Sequence, residues 1–226
     1  MSRFYSLAGG RQWVYVSIVM ESVAKVRGRP RAFDREAALE RAMLLFWEHG
    51  YEATSLAQLT SAMGISPPSL YAAFGDKQAL FLEAVDRYIA RGGADTSSFM
   101  GETKTAREAV AHFLEASAQR LSDPKFPRGC MVVLAAVSCS EEAAPVQHKL
   151  AACRAAWEKA LEQRIEQGIA GGDVPPGTSA AALASFYMAV VQGMSLHAKD
   201  GAPRKRLQQI AETALAAWPR RASRRR

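Results

Sequence analysis

The sequence predicts an all-α protein. Apolar residues recur at three- and four-residue intervals in segment after segment, the period of one helical face. Glycines and capping residues fall where those stripes stop, as at Gly50, Gly64 and Gly75-Asp76. No stretch alternates with the period of a strand, and no internal repeat is present.

Residues 1–24 carry mixed character and several glycines and are expected to form a disordered lead. Trp13–Met20 within it is a short apolar run after Arg11, faintly like a signal peptide. Its alternatives are an extra helix on the body, or a natural start at Met20. Residues 25–32, KVRGRPRA, form a basic arm. Arg27, Arg29 and Arg31 are spaced as in AT-hook peptides, and slim arginine arms favour narrow A·T minor grooves. The bland reading is a solvated charged leader.

Asp34 is placed to cap a helix running to His49 and closed by Gly50, with Leu39, Ala42, Met43 and Phe46 on one face. The next stretch, Ser55–Phe74, organises the chain. Leu56, Leu59 and Met63 give a first short helix one apolar side, with Thr54 expected as its cap. Gly64 suits a left-handed C-cap, Ser66 an N-cap, and Pro67 the first helical position, where a missing N–H costs nothing. Leu70, Tyr71 and Phe74 then ridge a second short helix. Helix, glycine turn and capped second helix make a helix-turn-helix, whose second helix enters the DNA major groove. An ordinary helical hairpin shares this pattern.

The flanks decide between the two. The run FDREAALERAMLLFWEHGYEATSLAQLTSAMGISPPSLYAAFGDKQALFLEAV closely resembles the N-terminal domain of the tetracycline-repressor (TetR/AcrR) family of bacterial transcription regulators. Its landmarks are Phe46, Gly50, Tyr51, Thr54, Ala62, Gly64, Ser66, Leu70, Tyr71, Phe74, Lys77, Leu80 and Phe81, in order and without gaps. The resemblance implies a three-helix DNA-binding domain over 33–80 and a helical ligand-binding and dimerisation domain over 81–219. It also implies a homodimer on a near-palindromic operator in double-stranded DNA, released by a small-molecule effector.

By position, Thr54, Ser55 and Ser66 lie at helix starts, where N–H groups and hydroxyls meet phosphates. Pro67, Pro68, Ser69, Ala72 and Ala73 would face base edges, Tyr71 would reach a phosphate, and Phe74 at the helix end is counted with the DNA-binding set. This helix offers no Arg, Asn or Gln for bidentate base reading. The family often has a basic residue and a glycine where this chain has Pro67 and Pro68. Direct readout is therefore expected to reduce to Ser69 and thymine methyls, with DNA shape and the arginine arm supplying the rest.

Asp76 is placed to cap a fourth helix running to about Arg91, with Leu80, Phe81, Ala84, Val85 and Tyr88 inward. Lys77 in its first turn opposes the helix dipole unless an anion is near. The resemblance puts a phosphate-contacting lysine there. A break over 92–104 precedes the body: a helix over Thr105–Leu121, a proline-rich turn over 122–129 and an apolar helix over Cys130–Cys139. A break at Glu141–Pro145 follows, then long helices over Val146–Ala170 and Thr178–His197, and a closing helix over Arg204–Trp218. Residues 220–226 are a basic tail. The resemblance pairs the two long helices with their symmetry mates in a four-helix bundle. An effector pocket is expected among the body helices, lined by residues such as Phe113, Met131, Trp157, Phe186, Tyr187 and Met194, with Cys130 beside them.

The formal charge of +7 over 226 residues suits a polyanionic partner. Three cysteines without paired spacing argue against a disulfide framework and fit a reducing cytoplasm. No apolar run reaches the roughly 18 residues of a membrane-spanning helix. Scattered histidines suggest no metal, and no cofactor is expected. Glu108 and His112 share a helix face without a second pair, and Ser122 and Lys125 have serine–lysine spacing but lie in a turn. Cys130 follows Arg128 and Gly129 at an expected helix N-terminus, which would activate its thiol. A Gly-Cys at this point also resembles a subgroup of the family that senses electrophiles or oxidants, and the bland reading is a small buried residue. The leading expectation is thus a ligand-responsive repressor, not an enzyme. Its rivals are a regulator triggered by thiol modification at Cys130, an activator or a ligand-independent regulator of the same fold, a DNA-architecture protein and a helical enzyme with an apolar pocket.

Overall fold

The computed structural model describes residues 33–93 and 103–219. The arm arginines, Trp13–Met20, Met20 as a start site and the basic tail all lie outside them. Among the described residues the fold is all-helical, with no strand.

Helix α1, Arg35–His49, starts where Asp34 accepts from the N–H groups of Glu36 and Ala37, and ends at Gly50 (φ +83°). Helices α2, Leu56–Met63, and α3, Pro67–Phe74, flank a turn in which Gly64 takes the left-handed conformation (φ +70°). That turn is stitched by Ile65 N–H donating to Thr60 O at 3.1 Å. Helix α4, Lys77–Tyr88, is capped by Asp76, which accepts from Ala79 N–H at 2.7 Å. It stops at Tyr88, short of Arg91, and widens into a π-type turn over Ile89–Gly93, because Gly92 turns to φ +77°.

The body comprises α5, Ala106–Leu121; α6, Met131–Leu134; α7, Ala144–Ala170; α8, Ala180–Lys199; and α9, Arg204–Ala216. Two expectations need correction. The apolar run Cys130–Cys139 makes only the single turn α6, because the Ala135 carbonyl accepts from Tyr51 N–H at 2.7 Å and is drawn out of a helical ladder. Nor does Glu141–Pro145 break the chain: a 3-10 turn over Glu141–Ala143 leads straight into α7, with Pro145 in its first turn, where proline is tolerated.

Helix α1 packs along α4, α7 against α8, and α9 against α5 and α8. The described residues share one buried core. It runs from Phe46, Phe81 and Tyr88 near the short helices to Leu114, Met131 and Tyr187 in the body. Ion pairs tie α4 to α1 along a partly buried seam: Arg35 to Glu83 at 2.5 Å, and Arg87 to Glu36 and Glu40. These pairs, with the packed core beneath them, fasten α4 along α1.

Candidate nucleic-acid interface

Side-chain hydroxyls decide where the two short helices begin. Ser55 caps α2: its Oγ accepts from Gln58 N–H at 3.2 Å, and Gln58 Oε1 accepts from Ser55 N–H at 2.8 Å. Thr54, expected as that cap, is fully buried, and its hydroxyl donates to Gly50 O at 2.6 Å. Thr54 therefore pins the end of α1 and has no surface to offer a phosphate, whereas Ser55 is exposed. Ser66 caps α3 by accepting from Ser69 N–H at 3.4 Å, and the two hydroxyls lie 2.9 Å apart.

On α3, Pro67, Pro68, Tyr71 and Ala72 face solvent, and Ser69 and Ala73 are half-buried. Tyr71 is 49% exposed. Phe74, included among the expected contacts, turns inward instead: it is 6% exposed, with the Arg35 guanidinium 4.4 Å above its ring. The i, i+4 relation to Leu70 puts it on the core side. The exposed face is thus small, apolar and poor in donors. Beside it an open groove of about 550 Å³ runs between α2 and the start of α3, from Leu56 to Pro67.

Lys77, in the first turn of α4, rests its ammonium 4.5 Å from the centroid of the Tyr51 ring. Burial pushes this ammonium below the ordinary lysine range, and the Glu52 carboxylate pulls the other way. Tyr51 itself is buried, edge-on to Phe81 at 5.1 Å. Glu52 accepts from both the backbone N–H and the hydroxyl of Ser140 at 2.9 Å, which holds its carboxyl below the ordinary range. The surface thus has two characters: an apolar edge on α3 and, at the start of α4, a cation held on an aromatic platform.

In the body a cavity of about 20 Å³, room for roughly one water, is lined in part by Phe113, Cys130, Val133, Trp157 and Met188. Of the expected pocket residues it gathers Phe113, Cys130 and Trp157. Met131, Tyr187 and Met194 are fully buried in the core away from its lining, and Phe186 lies 42% exposed on the outer side of α8. Tyr187 donates to Ala214 O at 3.3 Å, and burial raises its phenol to about 12. Arg120 and Gln192 also line the cavity and went unnoticed in the sequence. Their signal was there: Arg120 stands seven residues after Phe113, and Gln192 four after Met188, each on its partner's helix face.

Cys130 is 3% exposed at the start of α6. Its N–H donates to Ser195 Oγ at 2.8 Å, and the Tyr88 hydroxyl donates to its Sγ at 3.4 Å. Burial, aided by this thiol, holds the Tyr88 phenol well above the ordinary range. Cys139 and Cys153 are only partly buried, and burial raises both thiols. Glu108 accepts from Thr105 N–H in the cap of α5. Ser122 donates to Ala118 O at 2.7 Å. No acidic, histidine or cysteine cluster able to hold a metal occurs among the described residues.

Residues 38–84 match the family model described as bacterial regulatory proteins, tetR family, and residues 106–214 match that of the tetracyclin repressor-like C-terminal domain. The HTH-type transcriptional repressor ComR of Escherichia coli K12 is 40% identical over 200 residues, 88% of this chain and 95% of ComR. The repressor BdcR of the same organism is 35% identical over 116 residues, 51% of this chain and 59% of BdcR. Among solved structures, a cysteine-substituted TetR family regulator CifR, complexed with a 26-bp double-strand operator DNA, is 47% identical. It superposes with a TM-score of 0.82 over 85% of this chain and all of that one.

Proposed function

The chain belongs to the tetR family of bacterial regulatory proteins, and on that premise we propose that it is a dimeric, effector-released repressor working in the cytoplasm. Two α3 helices would enter successive major grooves of a near-palindromic operator, roughly 34–36 Å apart. The observation that carries this reading is the exposed α3 edge of Pro67, Pro68, Tyr71 and Ala72, on a fold superposing on an operator-bound regulator. Residues 33–80 would supply the DNA-binding part, and 81–219 the effector and dimerisation part. Phosphate contacts are assigned to Ser55, Tyr71 and Lys77, and the arm arginines Arg27, Arg29 and Arg31 would follow the minor groove.

The second copy would cover the outer stripe of α8. Leu183, Phe186, Val190 and Gly193 recur there at helical spacing, all half-buried or exposed in the single chain. An effector small enough to enter beside Phe113 and Trp157 would enlarge the cavity and shift the population toward a spacing of the two α3 helices that no longer fits the grooves. A second trigger is favoured by one observation: Cys130 lines that same cavity, so its alkylation or oxidation would load the site an effector loads.

A gel-shift series against DNA upstream of the protein's own gene, with excess random competitor, tests the proposal. A repressor retains one fragment; an architectural protein shifts every fragment, and an enzyme shifts none.

A further inference from the structure

The segment 126–140 touches the body cavity on one side and the DNA-binding helices on the other. Cys130 and Val133 line the cavity. On the opposite side, Trp47 of α1 donates its buried indole N–H to Gly129 O at 3.1 Å and stacks on Phe126 at 5.8 Å. Tyr51 N–H donates to Ala135 O at 2.7 Å, and Glu52 holds Ser140 twice. Gly129 sits at φ +84°, where a Cβ would come within 2.5 Å of Leu134 Cδ1 and 3.0 Å of Ser195 O. A displacement at Cys130 or Val133 thus has short bonded routes to the end of α1.

We propose that segment 126–140 is a strap that transmits the state of the body cavity directly to the end of α1 and to Tyr51, in parallel with α4, with Trp47 and Tyr51 as its positioning residues. The proposal rests on the repressor reading for its purpose, but its geometry stands independently. Tyr51 is the telling residue. Its backbone is held by the strap, and its ring is the platform under Lys77. A strap that pulls on Tyr51 shifts the platform under the cation assigned to grip phosphate, and needs no separate swing of α4 against α1. The ion pairs of α4 to α1 favour this route, since they make the two helices move together. Tyr88, the last residue of α4, meets both paths: its ring is edge-on to Trp47 at 4.8 Å and its hydroxyl lies on Cys130.

Amide hydrogen exchange on the full-length protein tests this, comparing the native chain with Trp47→Phe, which removes the indole donor, and with Glu52→Gln, a milder change at an exposed residue. Releasing the strap from the DNA side should speed exchange of the amides of residues 131–135 by a factor of about 5–150, the range of measured coupling. The amides of residues 210–216 in α9, beyond the contact of Arg128 with Ala202 O at 3.1 Å, should not change. Unchanged exchange at 131–135 in both variants, or equal acceleration in α9 from general loosening, overturns the proposal. Adding a duplex that the protein retains in the gel-shift series should slow the same amides by linkage. If no duplex is retained, the repressor reading fails, while selective acceleration in Trp47→Phe still upholds the strap.

Discussion

Neighbouring hydroxyls with opposite fates show what sequence reads at the residue scale. Thr54 and Ser55 are equally good caps on paper, yet only Ser55 has a free-facing side chain, because Thr54 is already bonded to Gly50 O. Such a choice is tertiary and cannot be read from spacing. The same holds for Lys77. Its conflict with the helix dipole was visible in the sequence, but its aromatic platform, brought from 26 residues upstream, was not. Replacing Lys77 with Ala should weaken binding to every duplex alike and reduce the salt slope, by about 0.9 if one phosphate contact is lost. An unchanged slope removes Lys77 from the phosphate contacts. Gly129→Ala should cost at least about 2 kcal/mol from the left-handed backbone and the crowded Cβ, read as a lower urea midpoint at unchanged m. Glu52 gives a pH signature. Its folded carboxyl lies below the unfolded value of 4.5, so its contribution is present above that value and is lost as pH falls through the folded one. The stability gap between the native chain and Glu52→Gln should therefore close as pH falls from above the unfolded carboxyl value through the lower folded one. A gap that is constant with pH would mean that the carboxylate charge does not serve the Ser140 contact.

Elements were legible wherever local chemistry sets their ends. Asp34, Ser66 and Asp76 cap the helices they were expected to cap, and Gly64 takes the left-handed turn. Elements were misread where a distant group sets the end. Helix α6 stops after one turn because Tyr51 takes the Ala135 carbonyl, and α7 starts early because a 3-10 turn delivers Pro145 into its first turn. The caps should differ in strength as their geometry does. Asp76→Ala, losing a 2.7 Å bond from a carboxylate, should cost about 1–2 kcal/mol, and Ser66→Ala, losing a 3.4 Å bond, about 0.5 kcal/mol. Thermal melts of the two variants order them, and a larger loss for Ser66→Ala would contradict the assignment of caps by distance.

At the scale of the whole molecule, the all-α fold and the helix-turn-helix were plain from periodicity, glycines and caps within one continuous stretch. The body site was not. Phe186, Tyr187 and Met194 share the apolar look of pocket walls, but α8 turns Phe186 outward and the other two into the core. Only packing distinguishes wall from core, and packing follows from which face of α8 meets α5 and α7. Under the proposed dimeric repressor, the donor-poor α3 edge leaves specificity to two copies set at a fixed distance and to DNA shape more than to single bases. The spacing of half-sites is therefore the quantity to perturb. Once a retained fragment has been footprinted, binding should be measured by fluorescence anisotropy to that duplex and to one carrying about five extra base pairs between half-sites, half a helical turn. The account predicts two chains per duplex and a loss of at least about a thousandfold on the lengthened site, down to non-specific affinity. Equal affinity for both duplexes, or saturation at one chain, would contradict it.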